Sequence, residues 1–308
     1  EIMPSLVGSE MCIRDSLTRA KAIMSIFSRF QIILRMIKFE HTVFALPFAM
    51  LGAVFGSNGW PSSKQIFWII IAMAGARSFA MAFNRFADHN IDALNPRTKN
   101  RALPAGHLSR LFVKLFIFGS GLIFVVAAAQ LNNLCLWLSF PVLLILLFYS
   151  YTKRFTRFSH FYLGICLGFS PLGAWIAVRG NIQLTPVLLS LIVVLWTAGF
   201  DIIYACQDVD FDRKHSLFSI PEYFGVKGAL KISYLLHLCT LCILISLIWV
   251  EGLGWISLLG IVLVATLLWY EHHLVKPSDL TKVNAAFFTI NGYISILLML
   301  TFGLDKLL

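Results

Sequence analysis

Two short stretches hold six of the twelve acids that follow residue 23. NRFADHNID (84–92) sets Asn84, Asp88 and Asp92 four residues apart at the end of an apolar run. DIIYACQDVDFD (201–212) carries Asp201, Asp208, Asp210 and Asp212. On a helix the first three lie at i, i+4 and i+8 and form one polar stripe. Asp201, Tyr204, Gln207 or Asp208, and Asp212 also share one face, while Asp210 falls off it and is expected in water. Like charges four apart weaken a helix slightly, and a carboxylate two turns inside an apolar segment is costly unless paired. Something positive must compensate. Carboxylate and amide oxygens are hard ligands that suit Mg²⁺, and Mg²⁺ keeps phosphate oxygens in its shell. The expected tenant of the two stripes is therefore a metal-bound diphosphate. The competing reading is a pair of helix ends that turn polar where they emerge into water.

Cationic residues stand where such a tenant needs them. Arg77 is seven residues before Asn84, on the same predicted face and deep in the span. A buried Arg normally has an anionic partner, and the structural alternative is an ion pair with Asp201. Lys153 and Arg154, in SYTKRFT, and Arg101, in NRALPAG, follow apolar runs closely enough to reach diphosphate oxygens. Each also has a simpler role as a charge that orients the chain.

The elements that must position these groups are membrane helices. Apolar residues make up 58% of the chain and charged residues 13%, about half the charge of an ordinary soluble domain. Nine spans are predicted, at 39–57, 66–87, 111–130, 134–151, 160–179, 186–207, 229–250, 254–272 and 284–303, each near the length that crosses the hydrocarbon core. The turns between them are short, so a single domain over residues 24–308 is expected. The segment EMCIRDS (10–16) reads as a translated sequencing adaptor, and Met24 is the expected start, with residues 1–23 set aside as an artefact. Of the basic residues, eighteen fall on one side of the alternating spans, and only Lys64, Arg179 and Lys306 on the other. By the positive-inside rule the N-terminus and the acidic stretches are cytoplasmic and the C-terminus is outside. The net charge of +10 is thus topological, and no nucleic-acid partner is implied. Gly52-x-x-x-Gly56 and Gly164-x-x-x-Gly168 predict close helix packing, within the bundle or in a homo-oligomer. Pro47 and Pro171 are expected to kink their spans. Cys239 and Cys242 lack flanking ligands and read as small packing residues.

With these residues in place, a family resemblance becomes visible. NRFADHNIDALNPRTKNRALPAG resembles the first aspartate motif, N-x-x-x-D-x-x-x-D, of the UbiA-type intramembrane prenyltransferases. FDIIYACQDVDFDRKHS resembles their second motif, with Asp208-x-x-x-Asp212 as its core, and SYTKRFT their basic loop. The resemblance implies an all-α membrane protein of nine helices around a central cavity, capped by cytoplasmic loops. It implies Mg²⁺-dependent transfer of a polyprenyl chain from its diphosphate to an aromatic acceptor in a quinone pathway, in the cell (inner) membrane. Asn84, Asp88, Asp92, Asp208 and Asp212 would hold metal and diphosphate, and Lys153 would bind the diphosphate. Asp201 would orient the acceptor or take the ring proton, helped by Tyr204, and Asp208 is grouped with them.

The acceptor divides two readings. KFEHTVFALPFA and the C-terminal region resemble a 4-hydroxybenzoate polyprenyltransferase-like branch, many of whose members are assigned to the futalosine route to menaquinone. The acceptor is then 4-hydroxybenzoate or 1,4-dihydroxy-6-naphthoate. Glu40 and His41 either shape the aromatic site or anchor the interface. Arg77 or Arg35 is expected to meet the acceptor carboxylate. A different class, an intramembrane cation-coupled transporter, would place its acids near the midplane in broken helices; here they gather at one end.

Overall fold

The computed structural model describes residues 26–37 and 45–308, without the side chains of 26, 27 and 285. Among these residues the elements are helical: α1 (Ile26–Met36), α2 (Leu46–Ser57), α3 (Ser63–Ala87), α4 (His89–Leu94), α5 (Arg110–Leu131), α6 (Asn133–Thr152), α7 (Ser159–Arg179), α8 (Leu184–Ala205), α9 (Val209–Lys214), α10 (Ile220–Glu251), α11 (Trp255–Leu274) and α12 (Asn291–Leu307). A single turn, Val283–Ala285, and a π-helical turn, Ala286–Ile290, lead into α12.

Among the described residues eight helices are long and apolar enough to span a membrane, one fewer than the nine expected. The first predicted span appears as the twelve-residue α2, because residues 39–44 of that span lie outside the described residues. Pro47 sits in the first turn of α2 rather than within it, where a missing N–H leaves no helical bond unmade. Pro171 does lie inside α7.

Helix starts follow local chemistry. Ser62 caps α3 with a capping box to Gln65, Ser109 caps α5, Asn132 caps α6 and Ser219 caps α10. Each satisfies a backbone N–H that would otherwise be orphaned beside lipid.

Close approach of helices relies on glycine. A Cβ at Gly52 would strike the Pro171 carbonyl, and one at Gly164 the Val194 carbonyl, so both G-x-x-x-G motifs serve contacts inside the bundle, α2 on α7 and α7 on α8. The core between α2, α8, α10, α11 and α12 is filled by Phe48, Phe55, Trp196, Leu247, Ile294 and Phe302. Outside, large apolar side chains face outward, with Trp60, Trp137, Trp249 and Trp255 all more than 70% exposed. These four lie at helix ends remote from the acidic stretches, as an interfacial aromatic belt requires. Cys239 and Cys242 also point outward, so they are not packing residues.

Candidate functional site

The predicted stripes are not continuous helical faces. α3 ends at Ala87; Asp88 leaves helical geometry (φ −91°, ψ 6°) and the chain restarts as α4. The bond from Asp92 N–H to Asp88 O, 2.7 Å, survives across the break. In the second stretch α8 ends at Ala205 and a 3₁₀ turn, Cys206–Asp208, precedes α9. Both breaks turn the backbone so that successive acids address different partners. Helical periodicity missed them because no Pro or Gly marks either position.

Every motif aspartate has a specific partner. Asp88, almost fully buried, accepts from Lys153 Nζ at 2.6 Å and from Arg154 Nη2 at 3.4 Å. Asn84 Nδ2 donates to the same carboxylate at 3.3 Å. Asp92 takes Arg101 Nη1 across both oxygens, at 2.8 and 2.7 Å. Asp208 is clasped by Arg97, with Nε to Oδ1 at 3.1 Å and Nη2 to Oδ2 at 2.5 Å. Arg97 also donates to the Tyr204 hydroxyl at 2.8 Å. Asp212 accepts from Ser219 Oγ at 3.1 Å. Asp201 pairs with His160, Nδ1 to Oδ2 2.7 Å; the Arg77 contact considered for it is not the one formed. Asp210 is exposed, as expected.

The sequence between Asn95 and Arg101 explains how one loop serves both motifs. Asn95 Oδ1 accepts from Arg97 N–H at 2.9 Å, an Asx turn that fixes the loop, while its Nδ2 reaches Asp208 Oδ1 at 3.3 Å. Thr98 Oγ1 donates to the Asp92 carbonyl. Arg97 then points across to the second motif and Arg101 back to the first. Burial disfavours the Arg97 charge, but the hydrogen bonds and charge of Asp208, with Tyr204, outweigh it and raise its pKa above the ordinary guanidinium value.

Arg97, Asn95 and His160 were missing from the sequence-derived site. Arg97 and Arg101, four apart after an Asn-Pro turn, carried a legible signal; His160 carried none. Glu40 and His41 lie outside the described residues, and Arg35 is exposed on α1.

Below this polar layer lies an apolar cavity of about 350 Å³ among α3, α5, α6 and α7. Ala76, Phe124, Val142 and Leu163 help to line it, with Arg77 and Tyr149 on its wall. Tyr149, on α6, is one turn before Lys153 at that helix's C-cap, and Arg77 is two turns from Asn84 on α3, so the cavity continues from the charged layer along both helices. On the other flank Phe287, in the π-helical turn, packs against Tyr204 with ring centroids 4.4 Å apart and the planes tilted by 40°. Asn291 Nδ2 holds that turn through the Ala286 and Phe287 carbonyls and the buried Glu271 carboxylate.

The donor set fits a hard divalent cation, since Asn84 and the four motif aspartates offer oxygen only. They are not gathered, however. Among the described residues no three His, Cys, Asp or Glu side chains are placed to share an ion, because cations stand between the acids.

A charged layer of acids and cations over an apolar cavity, built by membrane helices, is the arrangement of an enzyme acting on a lipid with a polyanionic head. Comparison with known proteins gives the same class. The UbiA prenyltransferase family model matches residues 45–293, and the chain belongs to that family. It is 31% identical over 249 residues to the 4-hydroxybenzoate octaprenyltransferase of Yersinia enterocolitica, covering 79% of this chain and 84% of that one. Among solved structures, the apo UbiA homolog from Aeropyrum pernix K1 is 35% identical, with a TM-score of 0.79 over 86% of this chain and 98% of that one. A UbiA homolog from Archaeoglobus fulgidus, solved bound to DMAPP and Mg²⁺, shares the fold at 20% identity, TM-score 0.70, over 89% of this chain and 98% of that one. The protein is a multi-pass membrane prenyltransferase, and the transporter alternative falls away.

Proposed function

We propose that the protein transfers a polyprenyl chain from its diphosphate to an aromatic carboxylic acid, 4-hydroxybenzoate or 1,4-dihydroxy-6-naphthoate, in quinone biosynthesis. The observation that carries this reading is the pairing of each acidic motif with Lys or Arg side chains, one to two helical turns from an apolar cavity along α3 and α6. The cations are already where diphosphate oxygens would sit, and the cavity suits an isoprenoid tail.

Asn84, Asp88, Asp92, Asp208 and Asp212 would hold Mg²⁺, which when bound supplies positive charge to the departing diphosphate. Lys153, Arg154, Arg97 and Arg101 exchange their carboxylates for diphosphate oxygens and stabilise the charge that grows as the allylic C–O bond breaks. The apolar wall keeps water from the carbocation. Arg77 pairs with the acceptor carboxylate at the boundary between cavity and charged layer. The ring attacks the prenyl C1, and Asp201 takes the proton from the attacked carbon, restoring aromaticity. Tyr204, held by Arg97 and packed on Phe287, forms the wall against which the ring orients.

Glu40 and His41 are proposed to shape the acceptor site. The N-terminus, the charged layer and its loops are proposed to face the cytoplasm at the cell (inner) membrane, with the C-terminus outside. One feature supports this: the basic residues cluster at the site end, as the positive-inside rule requires of a cytoplasmic face.

The test is an acceptor competition. Purified protein in nanodiscs is given a polyprenyl diphosphate, Mg²⁺ and equal amounts of both acids, and products are identified by mass. Prenylated naphthoate assigns the menaquinone route, and prenylated hydroxybenzoate the ubiquinone route. No prenylated aromatic acid overturns the reading.

A further inference from the structure

A carboxylate that receives the ring proton, as proposed for Asp201, needs a partner that holds it in place. Asp201 lies on α8, one helical turn before Tyr204, and its side chain keeps 20% of its surface. The His160 ring, at the start of α7, is 4% exposed. Its Nδ1 is 2.7 Å from Asp201 Oδ2. Its Nε2 accepts from the Ile220 N–H at 3.4 Å. That second bond decides the first. With Nε2 occupied as an acceptor, the neutral ring carries its proton on Nδ1 and donates it to the carboxylate.

The Ile220 amide belongs to the first turn of α10, where backbone N–H groups lack helical partners. The residue before it, Ser219, caps the same helix and donates its hydroxyl to Asp212. One helix start thus anchors two acids: Asp212 directly, and Asp201 through an imidazole. Among the described residues Asp201 Oδ1 has no hydrogen-bond partner.

We propose that His160 is a positioning residue for Asp201. It ties one carboxylate oxygen to the α10 start, which leaves the other oriented toward the acceptor ring to receive its proton. The Nδ1 proton stays on the imidazole throughout; the ring proton moves to Asp201 Oδ1 and from there to solvent. The inference rests on the proposed role of Asp201 in the aromatic transfer. Carboxylate–histidine pairs whose far nitrogen is fixed by backbone orient reactive groups in this way, and losing the outer partner costs about 10–100-fold where it has been measured at metal sites.

A buried histidine can also serve only as packing, and two substitutions separate the roles. His160→Phe keeps a ring of similar volume and loses both hydrogen bonds. His160→Gln loses the ring but can donate to Asp201 and accept from Ile220. Positioning requires kcat for the aromatic acceptor to fall by about 10–100-fold in His160→Phe and to recover most of that loss in His160→Gln. The KM for polyprenyl diphosphate and its binding without acceptor should not move in either. In an Asp201→Asn background His160→Phe should cost nothing further, because the two act as one unit. Full activity in His160→Phe, equal losses in both variants, or additive losses with Asp201→Asn overturns the inference. Diphosphate binding reports folding, and His160→Leu replaces the Phe variant if that one does not accumulate. If wild type prenylates no aromatic acid, the functional reading fails and this inference with it; if Asp201→Asn is fully active, Asp201 is not the proton acceptor and this inference falls alone. A failure confined to the His160 variants leaves the functional reading standing.

Discussion

Arg97 and Asp208 are 111 residues apart in the chain and form a two-bond clasp that ties the loop after the first acidic motif to the second motif. Asn95 reinforces the same oxygen. The two halves of the site are therefore joined by a cation, and the joint must open, wholly or in part, for a diphosphate to enter. Arg97→Ala removes a planar fork that a lysine cannot replace. The expected outcome is a loss of about 100-fold in kcat/KM for the polyprenyl diphosphate, with Arg97→Lys intermediate. Steady-state kinetics with a saturating aromatic acid check this. Thermal stability should change little, because water still reaches the Arg97 head, which is 35% exposed, and solvent-screened pairs contribute about 1 kcal/mol or less.

Asp88 is a different case, because it is buried and binds two cations. Asp88→Ala and Asp208→Ala should each abolish transfer while the protein still accumulates in the membrane. Removing divalent ions with a chelator should do the same to wild type, and Mg²⁺ should restore it, but not in either variant. Full transfer by Asp88→Ala or Asp208→Ala would remove the acids from the mechanism. Melting in detergent should separate the two variants, with Asp88→Ala lower, since it leaves Lys153 and Arg154 without their carboxylate.

Helix packing offers a test independent of chemistry. A Cβ at Gly164 would meet the Val194 backbone, whereas one at Gly119 meets nothing within 4 Å. Gly164→Ala should destabilise by about 1–3 kcal/mol, and Gly119→Ala should be neutral or slightly stabilising, since Ala is the better helix former. Thermal melts of the two variants give the comparison directly.

How far the site could be read in advance depends on which interactions repeat with helical period. The spans, their spacing and the acid-rich ends follow from hydropathy and charge, and the structure keeps eight of the nine spans at full length among the described residues. Asp88, Asp92, Asp208 and Asp212 stood out as candidates because an acid near an apolar run demands a reason, and Asn84 by its place four residues before Asp88. The breaks at Asp88 and at Cys206–Asp208 were not legible, since no Pro or Gly marks them and the partners met there, Lys153 and Arg97, are distant in sequence. His160 was invisible for the same reason. Its two bonds reach 41 and 60 residues along the chain, and nothing near it in sequence announces either. Arg97 lay between: its position after Asn-Pro is a turn signal, but its direction is set by the Asx bond to Asn95.

Asn291 tests whether the far wall of the site is held from behind. Its amide donates to three acceptors, two in the π-helical turn and one on Glu271, and the side chain is fully buried. π-helical turns are poor in isolation and persist where surroundings fix them. Asn291→Leu fills the space but leaves the Glu271 carboxylate short of a donor, a cost of about 1–3 kcal/mol. The turn carries Phe287, which packs on Tyr204, so loosening it should raise the acceptor KM more than the diphosphate KM. A melt and a two-substrate kinetic matrix read both effects.

Arg77 carries the sharpest prediction about the acceptor. It lines the apolar cavity two turns above Asn84, too deep to serve as an orienting charge at the interface, since an Arg there is costly unless an anion meets it. If that anion during turnover is the acceptor carboxylate, Arg77→Met should raise the acceptor KM by about 10–100-fold, the value of one charged hydrogen-bonded contact of about 1.5–3 kcal/mol. The KM for the polyprenyl diphosphate should hold. The variant should also lose most of its preference for the acid over the corresponding phenol without a carboxylate, because the discarded charge no longer distinguishes them. Competition between the acid and that phenol, read by product mass, gives the ratio in one measurement. An unchanged ratio with a raised diphosphate KM would move Arg77 from the acceptor to the leaving group.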